Sequence, residues 1–304
     1  MKRRVIQIAN STQLISLPRK WTQQFGIKKG DELEVEARGN KIEISTEKGV
    51  SIEKAELNID NLAPMILRCL VAIYKKGVDE VKVTFNNPNL AYEIQKSIRK
   101  ETVGYEIVDQ GKNYCLIKQV SGELGDFDAI LRRTFLLLIN MSTDCINTIK
   151  SKDFQRMNDV AFLEEANNRF TTTCRRLINK KNPTDVFIGP LYYIIEELEN
   201  VADQYKYLCQ YLYQNKDKKI NLKPAVTENL EKTHSMLRSF YSLYYKFDKE
   251  ELVKIAKWRK EIIETSHELF ESKIDGPNAV VVHNIMTIAQ KIFCLTGPYL
   301  VNAI

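Results

Sequence analysis

Apolar and polar positions alternate along the first fifty residues and then change period. The runs "RVIQIA" and "LISLP" are short and rich in β-branched residues, and the turn-forming "NSTQ" divides them. "ELEVEA" sets Leu33, Val35 and Ala37 against acids, and "KIEIS" sets Ile42 and Ile44 against polar residues. Both read as strands, joined through "RGNK" as a hairpin. Between the two pairs, "RKWTQQF" has room for about two helical turns. Pro18 suits the start of that helix, and Gly26 can close it in the left-handed conformation.

Residues 58–121 switch between periods. "NLAPMILRCLVAIYKKG" repeats Met65, Ile66, Cys69, Leu70 and Ile73 at helical spacing, and "DEVKVTF" reads as a strand. "NLAYEIQKSIRKE" is an amphipathic helix, and "GYEIVDQ" with "NYCLIKQV" forms a hairpin across Gly111. This α-β-α-β-β order predicts a small α/β module that could hold a small ligand but reads better as a structural or dimerising connector.

From residue 126 the pattern is helical to the last residue. Breaks near Ser151, at "KKNPTDVFIGP", at "NKDKKINLKP", near "KFDKE" and at "KIDGPN" predict six helices in two groups of three. The third helices of the two groups align without a gap. Leu198, Ala202, Tyr205 and Leu208 then fall on Ile285, Ala289, Ile292 and Leu295, the spacing of a bundle seam. A weak internal duplication follows.

Charge changes the picture at one end only. The 304-residue chain carries a formal net charge of +6, too mild to argue for a polyanion partner by itself. Yet Asp31 is the first acid, and Lys2, Arg3, Arg4, Arg19, Lys20, Lys28 and Lys29 all precede it. A locally positive end on a nearly balanced chain is what a polyanion-binding head needs, and also what a solvated basic terminus looks like. Four short strands and a two-turn helix bury little apolar surface, so two chains are expected to share one barrel-like core.

The six cysteines stand singly, with no CxxC and no Cys/His cluster, which argues against zinc fingers and a disulfide framework and fits a reducing cytosol. No uninterrupted apolar run approaches the ~18 residues of a membrane span. "MKRRVIQIANS" lacks a signal peptide's apolar stretch and cleavage site. The expectation is a soluble cytoplasmic protein without membrane insertion.

The order "STQLISLPRKWTQQFGIKKGDELEV" followed by "GNKIEIS" resembles the AbrB/SpoVT family of swapped-hairpin DNA-binding domains, over residues 1–47. Leu-Pro-x-x-Trp, the Gly at the helix end and the Gly-Asp before an acidic strand stand in the family's order. The resemblance implies a homodimer that presents basic side chains to DNA, here Arg3, Arg4, Arg19, Lys20, Lys28 and Lys29. Closely spaced phosphates attract several cations at once, and release of condensed counterions drives such binding. Arginines can also read guanine edges through a bidentate fork. Some of these cations could instead pair with Glu34 and Glu36. Trp21 and Phe25, four apart, read as the helix's core face rather than as base-stacking platforms.

Residues 126–304 resemble the phosphate-uptake regulator family, PhoU, whose fold is two three-helix bundles in tandem. The family's Glu(Asp)-x-x-x-Asp motif has one clear copy here, "ENVAD", Glu199 and Asp203. The i,i+4 spacing sets the two carboxylates ~6 Å apart on one helix face. Each follows a seam residue, Leu198 and Ala202. On the second helix, Val160, Leu163, Asn167, Phe170, Cys174 and Leu177 form the seam, and Glu164 and Asn168 follow it in the same phase. Two such edges can face each other and offer oxygen ligands. The resemblance thus implies a divalent or iron-type cation at Glu164, Glu199 and Asp203; the bland alternative is a solvated acidic edge. Asn168 stands where a second acid is wanted, and Met286, Gln290 and Ile263 replace the acids of the second group, so the second site is expected to be lost.

His234, His267 and His283 are scattered, the tyrosines recur at seam spacing, and nothing assembles into an acid/base pair or a nucleophile–base dyad. No enzyme is expected. The fold class read from these observations is multidomain and mainly α: a swapped-hairpin β-barrel head (1–47), an α/β module (58–121) and a tandem three-helix-bundle tail (126–304). An AbrB-like head on a PhoU-like tail is a domain order of archaeal phosphate-uptake regulators. It implies a dimeric DNA-binding transcriptional regulator of phosphate uptake whose tail senses or relays phosphate status. The alternative is an adaptor that docks on a phosphate transporter's ATPase or on a signalling kinase without specific DNA binding.

Overall fold

In the computed structural model the chain divides into two units, Met1–Ser51 and Ile52–Ile304. Residues 2–8, 12–38, 41–46, 53–122, 124–181, 186–218 and 220–304 are described. Parts of the expected turns at "NSTQ" and "RGNK", and of two inter-helix breaks, lie outside them.

The first unit follows the alternation in the sequence. β1 (Ile6–Ile8) pairs antiparallel with β2 (Thr12–Leu14), α1 spans Arg19–Gln24, and β3 (Leu33–Arg38) pairs antiparallel with β4 (Lys41–Thr46). Pro18 is extended, with ψ 122°, and caps α1 from outside instead of opening it. Its carbonyl still accepts the first helical bond, from the Thr22 amide at 3.0 Å. Gly26, at φ +62°, ends the turn in the left-handed region that favours glycine. The Trp21 and Phe25 rings lie 5.7 Å apart, each half-buried. Within one chain the two hairpins are separate two-stranded sheets. Val5, Ile6, Ile8, Ile15, Val35 and Ile42 are all more than half exposed, as expected for a unit in which none of the described residues is buried.

The second unit begins one strand earlier than the sequence reading. β5 (Lys54–Asn58) pairs parallel with β6 (Glu80–Thr84), and α2 (Ile66–Lys76) crosses over between them. α3 (Leu90–Glu101) then leads into β7 (Tyr105–Gln110) and β8 (Tyr114–Gln119), giving the sheet order β5-β6-β8-β7. β5 offers only Ala55 and Leu57 to the interior and its partner is distant in sequence, so its alternation was too faint to read. One sheet face carries Val81, Val83, Cys115 and Ile117 into a core with Leu70, Tyr74, Ile94 and Ile98. The other face is wet, with Glu80 bridged to Lys54 at 3.0 Å and to Lys118 at 2.9 Å.

Helices fill the rest: α4 (Phe127–Ser151), α5 (Met157–Lys181), α6 (Ile188–Gln214), α7 (Pro224–Tyr245), α8 (Lys249–Glu271), α9 (Gly276–Cys294) and α10 (Thr296–Ala303). Aspartates at the predicted breaks cap three of them. Asp126, Asp248 and Asp275 accept from the Ala129, Glu250 and Asn278 amides at 2.8–2.9 Å. All eight residues of the aligned seams are fully buried. The expected sixth helix is interrupted at Leu295, ahead of Gly297 and Pro298. Its apolar length, Gly276–Ala303, would suffice to cross a membrane, but half of the apolar window is buried in the bundle, where α9 packs on α6, α7 and α8.

The α/β module is not a separate connector. α5 lies between the bundle and the module, and residues 171–178 are buried all round. Its polar side chains cap the C-termini of α2 and α3, whose last carbonyls have no partner within their own helix. Arg176 donates to Tyr74 O at 2.9 Å and Val78 O at 2.7 Å, and Asn179 donates to Lys75 O at 2.7 Å. Thr172 donates to Glu101 O at 2.6 Å. The Arg176 guanidinium also rests 4.7 Å from the Tyr74 ring centroid and 5.6 Å from that of Tyr105. These bonds join residues 58–121 and 126–304, expected as two domains, into one unit.

Candidate functional site

Two surfaces carry chemistry. In the first unit, Arg3, Arg4, Arg19, Lys20, Lys28 and Lys29 are all exposed. The "KKGD" turn is held from within, since the Lys28 amide donates to Asp31 Oδ2 at 2.8 Å, and Gly30 sits at φ +96°. Both lysine side chains of this turn therefore remain in water.

The second surface is where α5 meets α6. Glu164, Glu199 and Asp203 do come together here, but as a network occupied by the chain's own cations. Lys206 Nζ donates to Glu164 Oε1 at 2.9 Å and to Asp203 Oδ1 at 2.5 Å. The Arg175 guanidinium, fully buried, forks between Glu196 and Glu199. Thr171 Oγ1 donates to Glu199 Oε2 at 2.5 Å, and Asn168 Nδ2 donates to Glu164 Oε1 at 2.6 Å. Burial works to lower the Lys206 pKa, yet the hydrogen bonds it donates to Asp203 and Glu164 outweigh that and hold the ammonium above its ordinary value. Burial pushes the Glu164 carboxyl up.

A metal ion needs deprotonated oxygens whose lone pairs converge on one point. Here the converging oxygens already accept N–H and O–H donors. Among the described residues no group of three or more His, Cys, Asp or Glu side chains is placed to hold a metal ion. The residues present do not fit the cation that the ExxxD resemblance implies.

A cleft of about 300 Å³ opens beside this network, walled by α2 and α3 on one side and by α5 and α6 on the other. Arg68 and Lys75 line it opposite Glu164, Glu199 and Asp203, so the module sets cations against the acidic face. Burial, together with Arg175, lowers the Lys75 pKa; burial, together with Glu199 and Glu164, raises that of Glu101. Asn168 Oδ1 is buried there without a hydrogen-bond partner. In the second bundle Arg259 takes the corresponding place, donating to Gln290 Oε1 at 2.7 and 3.1 Å and lying over the Phe293 ring.

Ser142 Oγ and His234 Nδ1 are 2.7 Å apart, a nucleophile–base spacing the sequence did not suggest. Ser142 is fully buried and also bonded to Ile139 O at 2.7 Å, so the pair ties α4 to α7 and offers no substrate a route. His267 and His283 are exposed.

Residues 6–51 match the family model described as Antidote-toxin recognition MazE, bacterial antitoxin. Among curated proteins none matches the chain. The crystal structure of the phosphate transport system regulatory protein PhoU from Streptococcus pneumoniae aligns with a TM-score of 0.50 at 13% identity, covering 58% of this chain and 93% of that chain. The helical part has the PhoU fold. The chain thus joins a head similar to MazE to a tail of PhoU-like fold, which matches the AbrB-type and PhoU-like order expected from the sequence. At such low identity the likeness to PhoU shows architecture alone. The carboxylates the sequence singled out on the PhoU-like tail are in place; Arg175, Arg176 and Lys206 were missed. Lys206 was legible, because it follows Asp203 by one helical turn on the same face. The two arginines were not, because arginine in mid-helix ordinarily marks a solvated side.

Proposed function

We propose that the protein is a dimeric, cytoplasmic DNA-binding transcriptional regulator of phosphate uptake, and not an enzyme. Two heads share one core and offer their basic side chains to an operator-like duplex, while the PhoU-like tail senses or relays phosphate status. The observation that carries this reading is the exposure of all six nominated cations on a MazE-type head. Dimerisation is supported by the uncovered apolar strands of the same unit, and a two-fold dimer calls for an approximately palindromic site. The tail bears on DNA only if its states differ in the affinity they allow the paired heads.

Titration of the full-length protein with duplex DNA tests it. Six or more phosphate contacts would lower affinity at least about 1,000-fold between 50 and 200 mM salt. An Arg3/Arg4/Arg19→Ala variant should lose both the binding and its salt slope. A second reading rests on the PhoU fold, which covers nearly all of a protein titled as a phosphate transport system regulator. On that reading the chain is an adaptor that docks on a transporter ATPase or a kinase, and its head only dimerises. Absent or salt-insensitive DNA binding favours the adaptor.

A further inference from the structure

The acidic face of the first bundle is built like a cation site and filled like one. Glu164 on α5 and Asp203 on α6 converge on a single donor, Lys206 Nζ, at 2.9 and 2.5 Å. That donor is half in the protein, with its side chain 19% exposed, and Glu164 is 4% exposed. The ammonium therefore pins the two helices together as an ion bridging their carboxylates would. One turn toward the N-terminus of α6, Arg175 does the same for Glu199 and Glu196. With both cations present, Glu164 Oε1, Asp203 Oδ1 and Glu199 Oε2 each have a donor. Take Lys206 away and two carboxylates face each other across the helix pair, beside the partnerless Asn168 Oδ1. Asp203 Oδ1 then lacks that donor, Asn168 Oδ1 still has none, and Glu164 Oε1 keeps only Asn168 Nδ2.

We propose that Lys206 is the resident cation of this face. It stands where a divalent ion would be offered carboxylates, the first bundle needs no metal there, and removing the ammonium opens the same oxygens to a divalent cation. A strongly hydrated point charge with three donors is suited to this role, because it can meet several oxygens from different directions. Without it, the buried Glu164 faces the partly exposed Asp203 with no cation between them, a repulsion that an incoming ion would relieve. Ion binding and stability would then become linked in the variant and stay unlinked in the natural chain.

The test uses metal-stripped full-length protein and Mn²⁺, read by calorimetric titration and by thermal unfolding. The natural chain should keep its melting midpoint after chelation and take up no Mn²⁺ that depends on Glu164 or Asp203. Lys206→Ala should melt lower when metal-free and recover about 4 °C or more with millimolar Mn²⁺. Lys206→Arg, which keeps a cation, should recover nothing. Adding Glu164→Gln to Lys206→Ala should abolish the gain. Saturable Mn²⁺ binding by the natural chain that Asp203→Asn removes would overturn the proposal, as would a lower melting midpoint on chelation. So would a Lys206→Ala chain that gains nothing from Mn²⁺, including one that stays unfolded in its presence.

Discussion

The Arg176 guanidinium holds the Asp79 carboxylate at 2.5 Å, across the boundary where the sequence suggested two domains. Lys180 Nζ reaches the same oxygen at 2.6 Å, and Arg176 also caps the end of α2. The arginine side chain is 1% exposed, so water cannot take its place against Tyr74 O and Val78 O. Breaking a buried pair from one side costs about 3–5 kcal/mol. Arg176→Met is therefore expected to lower unfolding stability by about 3 kcal/mol or more and to speed proteolysis within 53–122. Denaturant titration and limited proteolysis check this; an unchanged midpoint would mean the contact is not what joins module to bundle.

The pH dependence of stability should carry the mark of His234. Burial, with Arg238 adding repulsion, lowers its pKa from the ordinary 6.5. The unfolded chain then binds the proton more readily than the folded one, so stability rises with pH across this interval. The contribution is complete above 6.5 and is lost as pH falls through the lowered folded value. His234→Gln should flatten that slope in denaturation curves collected from pH 7.5 downward. A slope as steep as before would assign the effect to other groups.

Thiol labelling should divide the cysteines in two. All six are free, with Cys69 and Cys294 half-buried and the other four buried. Burial pushes the Cys115 thiol up to about 11 and the Cys174 thiol up to about 12, which leaves little thiolate near neutrality. Iodoacetamide on the native protein should modify Cys69 and Cys294 first, with the others following only on denaturation. Mass spectrometry of timed samples gives the order, and early labelling of Cys174 would contradict this burial.

The dimer proposed for the head makes a sharper demand. Val35 and Ile42 are 60% and 70% exposed within one chain, on strands whose register sets Val35 opposite Ile44 and Ala37 opposite Ile42. Covering them should be worth about 1.5 kcal/mol or more per side chain. Val35→Lys is expected to shift sedimentation toward monomer at micromolar concentration and to weaken DNA binding with it. A variant that remains fully dimeric would place the chain–chain contact outside this hairpin.

What the sequence disclosed and what it hid follow one physical divide. Seam residues such as Leu198, Tyr205 and Ile285 lie on helices that bury a single stripe, so their period survives in the sequence. α5 buries its whole girth over residues 171–178, between bundle and sheet, and its period there disappears behind Thr171, Thr172, Arg175 and Arg176. The carboxylates Glu199 and Asp203 were legible as a local spacing. Of their occupants, Lys206 was legible at the same kind of spacing, one turn past Asp203, whereas Arg175 was not, because it comes from the neighbouring helix. β5 was overlooked for a related reason: its parallel partner, β6, lies beyond a whole helix, so no hairpin signal announces it.

The shared helix also fixes where this polypeptide can be cut. Severing it near residue 122, where the periodicity changes, would strip α5 of the carbonyls that Arg176, Asn179 and Thr172 cover and leave a buried guanidinium facing solvent. The excised helical half would then be prone to aggregate. The safe place for scissors is near residue 52, ahead of the first parallel strand.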